Sequence, residues 1–159
     1  MRSRVHLSGL ALATIILSNA GHAAPPQKTT VAATSPAARA AAASVASFHQ
    51  ALQRADLAAA AAQLSGEALI YESGGVERSR AEYVSHHLPA DAAFAKATNR
   101  TVTAQSANAS GQLAWIATES RTRGTFKGRA IDSGSTETMV LRRERETWKI
   151  IHIHWSSGK

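Results

Sequence analysis

The chain contains no cysteine, so a disulfide, a thiolate metal site and a cysteine nucleophile are all excluded. Glycine never falls into a Gly-x-Gly-x-x-Gly or phosphate-loop pattern. Gly74-Gly75 reads as a turn, and Gly111, Gly124 and Gly128 lie at strand ends. Ser156-Ser157 lacks the strand-turn-helix setting of a nucleophile elbow, which argues against serine hydrolysis. Aromatic residues make up only 5% of the chain, so Trp115, Trp148 and Trp155 are read first as core or interface anchors. No basic stripe interleaved with aromatics occurs. Arg78, Arg80, Arg121, Arg123, Lys127, Arg129, Arg142, Arg143 and Arg145 are dispersed over helix starts and hairpins, so nucleic acid is not an expected partner.

One long apolar run is present, and it is N-terminal. Arg2 and Arg4 precede Leu7 to Leu17, and the small residues Gly21 and Ala23 follow, the pattern of an export signal over 1–23. The run is short for a membrane span, so no stable membrane insertion is expected once the signal is removed. The expected location is periplasmic or secreted. The formal charge of +7 includes both signal arginines, leaving +5 beyond Ala23. Residues 24–35 are rich in Ala, Thr and Pro without apolar period and read as a flexible arm, leaving 36–159 as one domain with one core.

Within that domain Ser35 and Pro36 open a helix to Arg54, with Val45, Phe48 and Leu52 on one face. Asp56 caps a second helix over Leu57 to Leu64, ended by Ser65-Gly66. Ala68 to Glu72 reads as a strand. Ser79 and Glu82 have capping-box spacing for a third helix, which Pro89 ends or kinks near His87, and Asp91 caps a further turn through Phe94 and Lys96. From Arg100 the pattern turns to strands: Arg100 to Ala107, Leu113 to Arg123, Arg129 to Arg143 and Thr147 to Ser156. About three helices before an antiparallel meander make an α+β domain.

The residues Ala46 to Leu57, Ala114 after the Gly111 turn, Glu137 to Arg143 and the ending Trp148 to Ser156 carry a resemblance. Over most of Ala38 to Ser157 the chain resembles the nuclear transport factor 2-like superfamily, within it the SnoaL-like branch and bacterial proteins similar to the calmodulin-dependent kinase association domain. The resemblance implies a cone-like half-barrel, the cystatin-like α+β roll, with a pocket between curved sheet and helices, and pairing through the sheet as a homodimer. That superfamily includes isomerases, dehydratases, hydrolases and noncatalytic binding domains, so the fold alone chooses no activity.

The candidate site residues come from two histidine pairs and the strand carboxylates. Strict alternation over the last strand puts His152 and His154 on the face of Trp148 and Ile150, roughly 7 Å apart. With His86 and His87 they could hold a divalent metal such as zinc or copper. An acid/base reading gives His154 or Glu137 the proton-transfer role, inside a pocket of Tyr71, His87, Trp115, Glu137, Trp148, His152 and His154. Glu119 and Glu137 either approach each other across the sheet or pair with Arg121, Arg123 or Arg129, depending on register. Three functions stay open: an exported domain binding a small molecule or metal in a His-lined pocket, a cofactor-independent SnoaL-like enzyme, and a noncatalytic dimerisation or docking module.

Overall fold

The computed structural model describes residues 32–33 and 35–158, and the expected export signal lies outside the described residues. Helix α1 spans Pro36–Arg54. The Ser35 side chain accepts the Ala38 N–H at 3.1 Å, Pro36 occupies the first turn, and Ala55 ends the helix in the left-handed region at φ 55°. Ala38, Ala41, Val45, Phe48 and Leu52 recur at three- and four-residue spacing and are buried, so one stripe of α1 faces the core. Asp56 caps α2, Leu57–Gln63.

Strand β2, Leu64–Glu72, turns through Ser73 and Gly74, both at positive φ, into the short β3, Gly75–Glu77. Ser65 and Gly66, read as a helix stop, lie inside β2. Helix α3, Arg80–His86, has its first-turn Glu82 N–H bound by Ser79 Oγ at 3.1 Å, while the Glu82 carboxylate takes the Arg78 N–H at 2.7 Å. The further turn expected near Asp91 is a full helix, α4, Leu88–Ala97. Pro89 opens it, because proline at the first turn lacks only an N–H that has no helical partner anyway. The helices therefore number four among the described residues.

The remaining strands are β4, Thr98–Ser110; β5, Leu113–Phe126; β6, Arg129–Glu144; and β7, Thr147–Ser157. With β1, Ala32–Ala33, at the end of the expected arm, they form one open seven-stranded sheet ordered β1-β4-β5-β6-β7-β2-β3. The meander β4 to β7 is antiparallel, whereas β2 joins β7, and β1 joins β4, in parallel. Register breaks occur in β4 after Val102, in β6–β7 after Val140 and in β2 after Leu64. Such extra residues bend and twist the strands that carry them, which curves the sheet around α1 and α4. Ile70, Ile116, Met139, Leu141, Ile150 and Ile153 form the floor under the helices.

The break in β7 changes which histidines face inward. Ile150 pairs with Leu141 and His152 with Val140, so Ile151 is an extra residue and alternation inverts there. Trp148 and Ile150 are buried before it, and Ile153 is buried after it. His152 and His154 therefore share the outer face, opposite Trp148 and Ile150. Strict alternation put them together, and the bulge separates them.

Candidate active site

On the concave face, five residues from five strands stand side by side: Gln105, Thr118, Glu137, Trp155 and Glu72. Glu137 is the centre of this row. It is only 4% exposed. Trp155 Nε1 donates to its Oε2 at 2.6 Å, His49 on α1 brings Nε2 to 2.8 Å from the same oxygen, and Arg100 Nη2 stands 3.5 Å from Oε1. Burial alone would push the Glu137 carboxyl up, but His49, Arg100 and the Trp155 N–H together hold it below the usual carboxylate range. It is a buried, ionised acceptor. Phe48 stacks on Trp155 with ring centres 6.4 Å apart, and Gln105 Nε2 donates to Thr118 Oγ1 at 3.1 Å, which fixes the row on both sides.

A second acidic group lies two strands along, about 10 Å away across the sheet. Glu72 ends β2 beside Trp155, and Asp91 projects from the first turn of α4. Tyr83 on α3 is fully buried and donates its O–H to Asp91 Oδ2 at 2.7 Å. Burial raises the Asp91 carboxyl, with the Tyr83 hydrogen bond and His87 partly offsetting it. Burial and then the Asp91 charge raise Glu72, and His87 opposes that rise. Burial and Asp91 also push the Tyr83 phenol far up, so it stays a donor.

Both groups open onto one cavity of about 750 Å³ between the sheet and helices α1 and α4. Val45, Leu52 and Phe94 give its helix side an apolar surface, while Gln105, Thr122, Ser133 and Ser135 make its sheet side polar. That volume suits an organic molecule of moderate size.

Of the candidate site residues expected from the sequence, Glu137 alone lines this cavity. His154 is exposed on the outer face. His152, on the same face, places Nδ1 3.0 Å from the Leu69 carbonyl and its ring edge-on to Tyr71 at 5.3 Å. Tyr71 and Trp115 are outer-face residues, 40% and 43% exposed. Trp148 is buried in the apolar floor. His87 joins α3 to α4 and pairs with the buried Glu77, and His86 is exposed at the end of α3. No three His, Asp or Glu side chains among the described residues are arranged to hold a metal ion, so the four histidines do not form the expected ligand set. Glu119 pairs in register with Thr136 and is exposed, on the face opposite Glu137, so the two carboxylates do not meet.

His49, Arg100, Asp91, Glu72 and the supporting Tyr83 were not among the expected site residues. His49 had a legible signal, since it lies four residues beyond Val45, at the margin of the buried stripe of α1. Arg100 had none, because its partner is 37 positions away in sequence, on β6.

The SnoaL-like domain model matches residues 41–158. The chain belongs to the SnoaL-like domain family. Among solved structures, a candidate ketosteroid isomerase from Shewanella frigidimarina is 38% identical, with 79% of this chain and 98% of that one aligned at a TM-score of 0.73. A calcium/calmodulin-dependent protein kinase II association-domain candidate from Xanthomonas campestris is 19% identical over 82% of this chain and 94% of that one, with a TM-score of 0.69. A candidate dehydratase of the NTF2-like family from Streptomyces avermitilis is 16% identical over 76% and 95%, with a TM-score of 0.66. The last two show the shared fold alone. No curated protein sequence matches the chain. The cone-like α+β architecture expected from the sequence is thus the architecture of the family.

Proposed function

We propose that the cavity binds a small organic molecule and moves a proton on it, with Glu137, backed by His49, as acceptor and Asp91, beside Glu72, as donor. The observation that carries this reading is the opposed tuning of carboxyls around one cavity. Glu137 is held ionised, while Asp91 and Glu72 are shifted toward the neutral acid. An acceptor and a donor on different walls suit abstraction of a proton beside a carbonyl, with the carbonyl oxygen hydrogen-bonded by the acid as negative charge develops there. Return of the proton to another carbon gives an isomer. Tyr83 positions Asp91 and does not line the cavity. The likeness to a candidate ketosteroid isomerase supports this class of reaction. The test is deuterium uptake beside the carbonyl of ketone probes, including a ketosteroid, followed by NMR in D₂O. The native domain catalyses exchange, and Glu137→Gln slows it by about 100-fold or more. Exchange at the native rate in that variant removes Glu137 as the acceptor and sinks the reading.

A second reading concerns the outer face, where Leu113, Trp115, Tyr71 and His154 are exposed and His152 is half-buried. We infer that a second copy of the chain covers this face, in line with the association-domain and hub structures among its fold neighbours. Export through the signal expected at 1–23 completes the proposal. Fractionation of cells expressing the full chain tests it: a processed product in the periplasm or medium supports export, and an unprocessed cytoplasmic product refutes it.

A further inference from the structure

The cavity has a direction. Glu137, Ser135, Ser133 and Ile131 are alternate residues of β6 and all line it, a row of about 20 Å at the usual rise per strand residue. Glu137 stands at one end, with Trp155 and Glu72 in register beside it. The hydroxyls of Ser135, Ser133 and Thr122 follow, and Ile131 ends the row. Past Ile131 and its partner Gly124, the next pair of the same parity on this hairpin is Phe126 with Arg129. The half-buried ring of Phe126 meets that of Phe94 edge-on, with centres 5.3 Å apart, and Phe94 lines the cavity from α4. Lys127 Nζ lies 5.3 Å over the Phe126 ring. The hairpin also presses on the end of α4 at a second point. A Cβ on Gly124 would stand 3.0 Å from the Ala97 carbonyl oxygen and from Thr98 Cα, and the Thr98 hydroxyl donates to the Phe94 carbonyl at 2.8 Å. Phe94 is thus held through its backbone and its ring at the end of the cavity remote from Glu137.

We infer that Phe94, positioned by Phe126, sets the length of ligand the cavity takes: the ligand presents its polar head to the Glu137 end and extends an apolar tail along β6 that stops at Phe94. The order of groups along the row argues for this orientation. A polar group carried to Ile131 and Phe94 exchanges water for apolar walls at a cost, whereas an apolar tail gains from the same burial. Phe94 meets the tail directly, and Phe126 acts through it by keeping the Phe94 ring in place. The substrate class is therefore an organic molecule with a polar head and an apolar tail of bounded length. This inference rests on the cavity being the ligand site proposed above and is independent of whether a proton is moved there.

Straight-chain methyl ketones, from methyl butyl ketone to methyl dodecyl ketone, test it when their binding is titrated by ligand-observed NMR. In the native protein each added methylene tightens binding about fourfold until the tail meets Phe94, and further methylenes add almost nothing. Phe94→Leu moves this stop to longer tails and Phe94→Trp moves it to shorter ones, while ketones short of the stop keep native affinity within about twofold. Phe126→Ala shifts the stop in the same direction as Phe94→Leu, and Phe126→Tyr, which keeps the ring, retains the native stop. A role in folding alone weakens the whole series evenly and leaves the stop where it was, so that result overturns the inference. A steady rise through the entire native series also overturns it, as does binding of no methyl ketone. A stop that moves with Phe94 in the absence of deuterium exchange leaves this inference standing and removes proton transfer. Exchange without such a stop does the reverse.

Discussion

Glu137 is held ionised in a place where burial alone would neutralise it, and its surroundings make that state testable through stability. Its carboxyl sits lower in the folded chain than the ordinary Glu value of 4.5. It therefore contributes stability above that value, and the contribution is lost as pH falls through the depressed folded value. Glu137→Gln removes this acid sensitivity and leaves Arg100 without its counter-charge, so the variant is expected to be about 3 kcal/mol less stable at pH 7 in urea unfolding. Asp91 has the opposite sign. Its folded carboxyl lies above the ordinary 3.8, so the folded chain holds that proton longer, and stability declines as pH rises through the interval above 3.8. Asp91→Asn is expected to flatten that decline while keeping an acceptor for Tyr83. An unchanged slope in the variant would assign the decline elsewhere. At this scale the sequence was legible where strand alternation applies, since Glu137 shares its parity with Met139 and Leu141 and so falls on their buried face. His49 and Arg100 were not legible as its partners, because nothing local in a sequence says which helix and strand end will meet one carboxylate.

Among the elements, β7 shows how one residue decides a face. The pattern from Trp148 to Trp155 allows either set of alternate residues to point inward, and only the pairing with β6 reveals Ile151 as the extra one. Alternation read without the bulge puts His152 and His154 with Trp148 and Ile150. The bulge instead sends Trp155 inward to donate to Glu137. Deleting Ile151 forces a choice between two unfavourable outcomes: a strand that keeps Trp148 and Ile150 inside and turns Trp155 out, or the reverse. The variant is expected to lose more than about 3 kcal/mol of stability and, where folded, to show red-shifted tryptophan emission. Native stability with native emission would mean that the strand does not need the extra residue. The helices were easier to read. Ser35, Asp56 and Ser79 all cap as their side-chain chemistry dictates, whereas Pro89 marks a start because His87 and Leu88 turn the chain directly from α3 into α4.

For the whole molecule, the curved sheet divides the work between two faces. The concave side carries the ionised carboxylate, the two carboxyls shifted upward by burial and the cavity, beneath α1 and α4. Among the described residues its convex side has no helix over it, yet it carries Leu113 and Trp115 at 51% and 43% exposure beside Tyr71 and His152. A single chain gains nothing from leaving these rings in water, and a twofold pairing of sheet faces removes them from it. Such an assembly leaves both cavities open on the outside, since the helices lie opposite the shared face. Trp115→Glu puts a charge at the centre of that contact without touching any group that lines the cavity. In sedimentation equilibrium the native domain is expected to run at twice the mass of the variant, while the variant keeps the native rate of ketone deuterium exchange. A native chain that sediments as a monomer refutes the pairing. A monomeric variant that has also lost exchange shows that the two faces are coupled through the sheet, in which case the second copy is part of how Glu137 and Trp155 are held in place.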